Sequence, residues 1–138
     1  MSEANIDLAL RYHEAVAAGA VGDELSAFFT ADAVHHELPN SIIPAGARRD
    51  LEGILTAAEG GQQVVSEQSF DIENVFAADD QVLVESLWTG KLRNAMGDLP
   101  AGHVIRAHIA TVLRIRDGRI AEQRNYDCYQ PFSQPAER

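Results

Sequence analysis

The sequence predicts an α+β fold, with helices in the N-terminal half and long antiparallel strands in the remainder. Apolar residues recur at helical spacing before residue 60, whereas from residue 64 onward they alternate with polar residues, as in half-buried strands. Turn residues separate the alternating stretches, and Asp117-Gly118 is a strong hairpin signal. With 138 residues, no repeat and no low-complexity segment, the chain is expected to form a single domain, residues 1–138.

Helical spacing predicts three helices. The first begins at Ser2, where an acidic residue follows a capping residue, and runs to Ala18, just before a glycine. Asp23 is predicted to cap a second, short helix. The third is predicted from about Ala47 to Glu59, and we expect Gly60-Gly61 to end it.

A short strand from Ala33 to Leu38 is predicted before the third helix, after a turn at residues 30–32. Four long strands follow, at about residues 64–78, 81–93, 103–116 and 119–128, with an irregularity near Asn74. One face of this sheet should pack on the helices. The other face carries Arg106, His108 and Val112, and because such a half-apolar face is seldom left exposed, we expect a homodimer through it.

Charge and composition exclude several classes of partner. The formal net charge is −10 and the pI about 4.8, so neither nucleic acid nor an anionic membrane is an expected partner. No apolar run is long enough to span a bilayer, and the N-terminus MSEANIDLAL lacks the features of a secretion signal. The single cysteine, Cys128, excludes an intramolecular disulfide and fits a reducing compartment, so we expect a cytoplasmic protein.

The stretch FFTADAVHHELPN, residues 28–40, brings three titratable side chains together on one strand. Since successive side chains of a strand point to opposite faces, His35 and Glu37 share one face and His36 lies on the other. An imidazole beside a carboxylate is suited to proton transfer near neutral pH. The same pattern fits an edge strand with a solvated polar face, so the segment alone leaves both interpretations open.

Two segments resemble a known family. RYHEAVAAG followed by FFTADAVHHELP is similar to the first-helix tyrosine, glycine turn and following strand of the nuclear transport factor two-like superfamily, in particular its SnoaL-like and ketosteroid-isomerase-like members. DGRIAEQRNYDCY resembles the final strand of that family. The resemblance implies a cone-shaped, curved antiparallel sheet with the three helices packed on its concave face, enclosing an apolar pocket.

The resemblance also implies roles for individual residues. Tyr12 falls where the isomerase members have a hydrogen-bonding tyrosine, and Glu37 falls where they have the carboxylate base. Two features depart from the family pattern. Thr111 is the nearest match to the acid that would be the second oxyanion donor, and Asp127 lies one position before the SnoaL-like aspartate, with Cys128 in its place.

We expect Glu37, His35 and Tyr12 to be the catalytic residues. Glu37 or His35 would be the base, because burial in an apolar pocket makes a carboxylate more basic, and Tyr12 would donate to the developing oxyanion. Structural roles remain open for all three, since Glu37 could cap the strand end, His35 could be a satisfied core histidine and Tyr12 a core aromatic.

Four further residues are candidates for substrate binding. His13 could meet His35 in the pocket or simply bond a carbonyl, and Trp88 could form the floor of the pocket or be plain core. On the last strand, either the amide of Asn125 or the carboxylate of Asp127 could enter the cavity. The predicted substrate-binding residues are therefore His13, Trp88, Asn125 and Asp127.

No metal or cofactor site is expected. His35, Glu37 and His108 do not match a closed set of metal ligands, and no glycine-rich phosphate loop is present. Cys128 has no evident partner base. Epoxide hydrolase relatives use an Asp-Arg-Asp set around a water, for which Arg106 and Asp127 are the only obvious parts.

These features predict a small cofactor-independent enzyme that transfers a proton next to the carbonyl of an apolar small molecule, as an isomerase or cyclase does. The alternative is a non-catalytic small-molecule-binding or dimerisation module on the same fold, since fold does not fix function. The pH dependence of ligand binding discriminates between them, because only the enzyme needs a pocket group that titrates near neutral pH.

Overall fold

The computed structural model describes residues 2–132 and contains three helices and six strands. The helices are α1 (Ser2–Ala17), α2 (Gly22–Ser26) and α3 (Leu51–Val64). The strands are β1 (Phe29–Glu37), β2 (Ala47–Arg49), β3 (Val65–Ala78), β4 (Gln81–Leu92), β5 (Val104–Arg116) and β6 (Arg119–Tyr129).

All six strands form one open sheet in the order β2-β1-β6-β5-β4-β3. The predicted α+β class is confirmed, and every neighbouring pair is antiparallel except β1 with β6, which is parallel. A parallel pair needs a long connection between its strands, and here the chain from β2 to β5 supplies it. The sheet is therefore mixed, and β1 lies beside β6, the last strand of the chain.

The core lies between the helices and one face of the sheet. α1 packs on β3 and β4, and α3 packs on β1. The helix α1 ends at Ala17, and the turn after it uses Gly19, whose φ of +88° suits glycine. Ala20 N bonds to Ala15 O at 2.9 Å and Gly19 N to Val16 O at 3.0 Å, which closes the end of the helix. The buried apolar residues of α1 and of the strands form one cluster, which includes Leu8, Ala9, Phe29, Val82, Val84, Leu113 and Ile120.

The boundaries of the third helix differ from the prediction. Residues 47–49 form β2 against β1, and the helix starts only after Asp50, whose carboxylate accepts from Gly53 N at 2.8 Å. Gly60-Gly61 do not end α3, which continues to Val64. A glycine costs a helix only about 1 kcal/mol relative to alanine, so tertiary packing readily overrides two of them.

The strand β1 was predicted to begin at Ala33, but it begins at Phe29, because Phe29 already pairs with Ile120 of β6. The predicted turn at residues 30–32 is instead an irregular stretch of the strand, with a register shift between Phe29 and Val34. A second irregularity, between Ile72 and Asn74 in β3, lies where the sequence predicts one. No helix within residues 2–132 is both long and apolar enough to cross a bilayer.

Candidate active site

A cavity of about 190 Å³ lies between α1 and the inward faces of the strands, and we call it the inner chamber. All seven predicted site residues line it: Tyr12 and His13 from α1, His35 and Glu37 from β1, Trp88 from β4, and Asn125 and Asp127 from β6. The structure thus brings the predicted residues together, whereas their roles stay predictions.

Strand periodicity explains how β6 contributes to the inner chamber. Gln123, Asn125, Asp127 and Tyr129 alternate along the strand and all line this chamber, whereas Tyr126 and Cys128 between them point outward and are exposed. The sequence left open which of Asn125 and Asp127 enters the cavity, and both do.

A chain of side-chain hydrogen bonds crosses the inner chamber from α1 to β6. Tyr12 Oη donates to Gln123 Oε1 at 2.7 Å, and Gln123 Nε2 donates to Asn125 Oδ1 at 2.6 Å. Asn125 Nδ2 lies 3.3 Å from Asp127 Oδ1 and 3.4 Å from Thr111 Oγ1. The half-buried amide of Asn125 therefore connects Gln123, the partner of the helix tyrosine, to the carboxylate of Asp127.

His35 is held as a neutral imidazole by its two neighbours. Its Nε2 lies 2.9 Å from Asn125 Oδ1, an acceptor, so Nε2 carries the proton. Its Nδ1 lies 3.4 Å from Arg49 Nη1, which can only donate. Burial lowers the pKa of His35 and the Arg49 charge lowers it further, against the raising effects of the Asn125 hydrogen bond and of Glu37.

Both carboxylate oxygens of Glu37 have partners. Oε1 accepts from Arg49 Nη1 at 3.0 Å, and Oε2 accepts from Asn40 Nδ2 at 2.9 Å. The side chains of Glu37 and Arg49 are only 12% and 18% exposed, so the ion pair is largely screened from solvent. Glu37 is thus neutralised within the site by a cation on the neighbouring strand β2.

Asp127 is the other carboxylate in the inner chamber, and its surroundings differ. Burial raises its pKa to about 6, the nearby charge of Glu37 adds to that rise, and the Asn125 hydrogen bond opposes it. Across residues 2–132 no arginine, lysine or histidine forms an ion pair with Asp127. This carboxylate therefore takes up its proton at about pH 6, well above the range of an ordinary aspartate.

Tyr12 and Tyr129 both line the inner chamber, and their hydroxyl groups differ in hydrogen bonding. Burial raises the pKa of Tyr12, against the effect of the bond from its hydroxyl to Gln123. Burial also raises the pKa of Tyr129, and the charges of Asp127 and Glu37 raise it further. The Tyr129 hydroxyl has no hydrogen-bond partner among the described residues, so its proton is available to a ligand.

Trp88 forms part of the chamber wall and is fixed from two sides. Its Nε1 donates to Gln68 Oε1 at 2.8 Å, and its ring lies edge-on to Tyr129 with centroids 6.3 Å apart. Any side chain at Gly90 would collide with the indole ring. A glycine at that position of β4 is therefore needed for Trp88 to lie over its own strand.

A second, larger compartment of about 350 Å³ adjoins the first, and we call it the outer chamber. The two chambers share Tyr12, Val16, His35, Glu37 and Tyr129 in their walls. Beyond these residues the outer chamber is mainly apolar, with Leu25, Ile42, Ile43, Ile54, Ala57 and Ala58, and with Arg49 and two glutamines as its polar groups.

The two outlying candidates lie away from the site. His108 lies on the outer sheet face, 4.0 Å from Glu73, so it cannot join His35 and Glu37. Arg106 alternates with the inward-facing Ile105 and Ala107, so it lies on the outer face of the sheet, whereas Asp127 lies on the inner face. Within residues 2–132 no three side chains of His, Cys, Asp or Glu are grouped to hold a metal ion.

Three site residues were missed from the sequence. Arg49 was assigned to a helix, Gln123 is an uncharged amide with no motif of its own, and Tyr129 follows the predicted end of the last strand. Inward alternation from Asn125 would have found Gln123 and Tyr129. No signal in the sequence placed Arg49 beside Glu37, because that contact depends on the β1–β2 register.

Helices on one face of an open six-stranded sheet, with titratable and apolar side chains around a cavity between them, define a class of α+β domains with a pocket under the helices. The model of the SnoaL-like domain family matches residues 9–123. The chain belongs to the SnoaL-like domain family. No curated protein sequence matches it.

Solved structures resemble the chain over most of its length. IdmH of Streptomyces antibioticus, described as a putative polyketide cyclase, is 25% identical, with 89% of this chain and 91% of that chain covered and a TM-score of 0.73. A hypothetical protein of Catenulispora acidiphila with a ketosteroid isomerase-like fold, solved in complex with trimethylamine, is 20% identical (87% and 84% covered, TM-score 0.67). An epoxide hydrolase of M. tuberculosis is 18% identical (91% and 84% covered, TM-score 0.71).

Proposed function

We propose that the chain is an enzyme that transfers a proton by general acid–base catalysis on an apolar, carbonyl-containing small molecule, in the manner of an isomerase or cyclase. The observation that carries this proposal is a desolvated carboxylate, Asp127, in a chamber that also holds the hydroxyl of Tyr129. Among residues 2–132 the carboxylate has no ion-pair partner and the hydroxyl has no hydrogen-bond partner. The likeness to IdmH, described as a putative polyketide cyclase, supports the same reaction class.

The proton acceptor in this proposal is one of two carboxylates, and their contacts favour Asp127 over the predicted base Glu37. A base needs a free lone pair and a pKa near the working pH. Glu37 accepts from Arg49 and Asn40 on its two oxygens, whereas within the described part of the chain Asp127 accepts one side-chain bond, from Asn125. With a pKa of about 6, Asp127 is roughly nine-tenths ionised at pH 7 and can accept a proton from carbon.

The predicted catalytic residues Tyr12 and His35 would then act through Asn125. Tyr12 orients Gln123, and both Gln123 Nε2 and His35 Nε2 donate to Asn125 Oδ1. These bonds fix the amide so that its nitrogen faces Asp127. Arg49, which is itself held by Glu37, would favour the neutral form of His35 that this arrangement requires.

The negative charge that develops on the substrate oxygen needs a donor. Tyr129 is the phenol whose proton is uncommitted, while Tyr12, the donor expected from the sequence, would have to exchange Gln123 for the substrate. A substrate carbonyl placed at Tyr129 would bring its α-carbon toward Asp127, two positions earlier on the same face of β6. Apolar parts of the substrate would occupy the outer chamber.

The test is exchange of α-protons of apolar ketones for deuterium in D2O, followed by NMR. Asp127→Asn should lower the exchange rate by about 10²- to 10⁴-fold, and Glu37→Gln should lower it less, with both variants retaining their circular dichroism spectra. The reverse order would make Glu37 the base. Ketones that bind without exchanging would support the alternative, a non-catalytic binding module.

We also propose that the chain forms a homodimer through the outer face of the sheet. Phe76, Leu83 and Val112 lie directly opposite one another on β3, β4 and β5 and form an apolar row across that face. Phe76 is 51% exposed, and Tyr126 on the same face is 44% exposed. Covering such a row with a second copy would remove apolar surface from water.

A further inference from the structure

Most polar groups of the inner chamber are bonded to one another. Tyr12, Gln123 and His35 converge on Asn125, and Trp88 Nε1 donates to Gln68. Within residues 2–132, the groups left without a partner are the Tyr129 hydroxyl, one oxygen of Asp127 and one ring nitrogen of His13. The first two belong to the proposed proton transfer, whereas the His13 nitrogen has no part in it.

The hydrogen bond of His13 to its own helix fixes which nitrogen carries the proton. Nδ1 lies 2.8 Å from Ala9 O, and a carbonyl oxygen can only accept, so Nδ1 is the donor. Burial lowers the pKa of His13, against the raising effect of the Ala9 bond, and keeps the ring neutral at pH 7. In a neutral imidazole with a proton on Nδ1, Nε2 is an acceptor.

The position of the ring directs Nε2 into the inner chamber. The Nδ1 edge faces the backbone of α1, so the opposite edge points away from the helix. The ring lines the chamber and lies edge-on to Phe70 at 5.0 Å and to Tyr12 at 5.7 Å. Among residues 2–132, the fully buried side-chain atoms without a hydrogen-bond partner are Ser86 Oγ and Arg106 Nε. His13 Nε2 also has no partner there but is not one of these atoms, so it is not fully buried and retains contact with open space.

We propose, building on the proposed function above, that His13 Nε2 accepts a hydrogen bond from a hydroxyl of the substrate, so that the site selects carbonyl compounds that also bear a hydroxyl or enol. An acceptor in an apolar wall loses its hydration when a ligand enters, and only a donor on the ligand compensates that loss. A ligand with hydrogen or methyl at that point leaves Nε2 unpaired. His13 is thus a specificity-determining residue on α1.

The probe is a pair of single-ring ketones of nearly equal size, 4′-hydroxyacetophenone and 4′-methylacetophenone, whose dissociation constants are measured by calorimetry. The wild-type protein should bind the hydroxyl compound about tenfold more tightly, the ratio that one net hydrogen bond produces. In addition, only the hydroxyl compound should shift the ¹⁵N resonance of His13 Nε2, a response that a merely structural histidine would not give.

Three substitutions separate the acceptor from the packing of the ring. His13→Phe removes both ring nitrogens, and His13→Asn can retain the bond to Ala9 without an acceptor at the Nε2 position, so both should lose the preference for the hydroxyl compound. His13→Gln places an amide oxygen near that position and should keep part of the preference. Asp127→Asn should keep all of it, because the hydroxyl is assigned to His13.

Equal affinity of the wild-type protein for the two ketones would overturn the inference, as would a preference that survives in all three His13 variants. The outcome is independent of turnover. A hydroxyl preference that depends on His13, without deuterium exchange of any ketone, would retain His13 as the acceptor and remove the proposed reaction. Deuterium exchange without any preference for the hydroxyl compound would retain the proposed reaction and remove His13 as the acceptor.

Discussion

The side-chain nitrogen of Asn125 lies 3.3 Å from Oδ1 of Asp127, on the same face of β6. The oxygen of that amide is occupied by His35 and Gln123, so the amide cannot turn over without losing both bonds. One neutral residue therefore determines which oxygen of Asp127 is bonded and which is left free for a substrate.

The first prediction concerns this contact. Asn125→Ala removes a hydrogen bond that stabilises the ionised form of Asp127, so the pKa of Asp127 should rise above about 6. The acidic limb of the activity profile should move to higher pH and the maximal rate should fall about 10- to 100-fold. Site-specific ¹³C NMR of the Asp127 carboxyl measures the shift directly. An unchanged pKa would mean that the Asn125 bond does not act on Asp127.

The second prediction is a stability gain in Asp127→Asn. The folded-state pKa of about 6 lies above the ordinary value of 3.8, so stability is lost as pH rises from 4 to 6, by about 3 kcal/mol in total. The variant should match the wild type near pH 4 and exceed it by about 3 kcal/mol at pH 8.

Urea unfolding at several pH values measures this difference. His13 and His35 have lowered pKa values, so their contribution is lost as pH falls through 6.5. That effect opposes the effect of Asp127 but cancels in the comparison of variant with wild type. Asp71→Asn, at an exposed position of β3, is the control for the effect of an Asp-to-Asn substitution at the surface of the sheet. A gain that is the same at pH 4 and pH 8 would contradict the assigned pKa.

The third prediction concerns the ion pair of Glu37 and Arg49. Arg49→Ala leaves a largely buried carboxylate without its cation and should destabilise the fold by about 3 kcal/mol. Adding Glu37→Gln should restore most of that loss, because no unpaired charge then remains. Chemical denaturation of the two single variants and the double variant gives the coupling energy, and additive effects would show that the pair is not coupled.

The fourth prediction tests the dimer. Phe76→Glu places a charge in the apolar row of the outer sheet face and should convert a dimer to a monomer, as measured by light scattering after gel filtration. Val21→Glu adds the same charge at an exposed apolar residue outside the sheet and should leave the mass unchanged. A wild-type protein that is already monomeric at micromolar concentration would contradict the proposed interface.

Periodicity predicted most of the fold, and together with the family resemblance it named residues that line the inner chamber. Alternation along the strands placed His35 with Glu37 and Asn125 with Asp127, because a strand fixes which side chains share a face. Two predictions were wrong: α3 does not end at Gly60-Gly61, and residues 47–49 form the strand β2 instead of the start of the helix. In both places tertiary packing outweighs the local propensity of the residues.

The contacts between elements could not be read from the sequence. Arg49 reaches Glu37 only through the β1–β2 pairing, and Tyr12 reaches Gln123 only because α1 lies across the sheet. Those two contacts occupy Glu37 and Tyr12, which were predicted as base and donor. Within the described residues, one oxygen of Asp127 and the hydroxyl of Tyr129 remain without a hydrogen-bond partner. The sequence therefore predicted residues that line the inner chamber, but not which of their polar groups are already hydrogen-bonded.

The pH profile of α-proton exchange tests the role of Asp127 most directly. If Asp127 is the base, the exchange rate of the wild-type protein should rise with pH and reach half its maximum at about pH 6, since only the ionised carboxylate accepts a proton. The residual exchange of Asp127→Asn should lack this limb. A limb with the same midpoint in Asp127→Asn would show that another group titrates, and would contradict the assignment of Asp127 as the base.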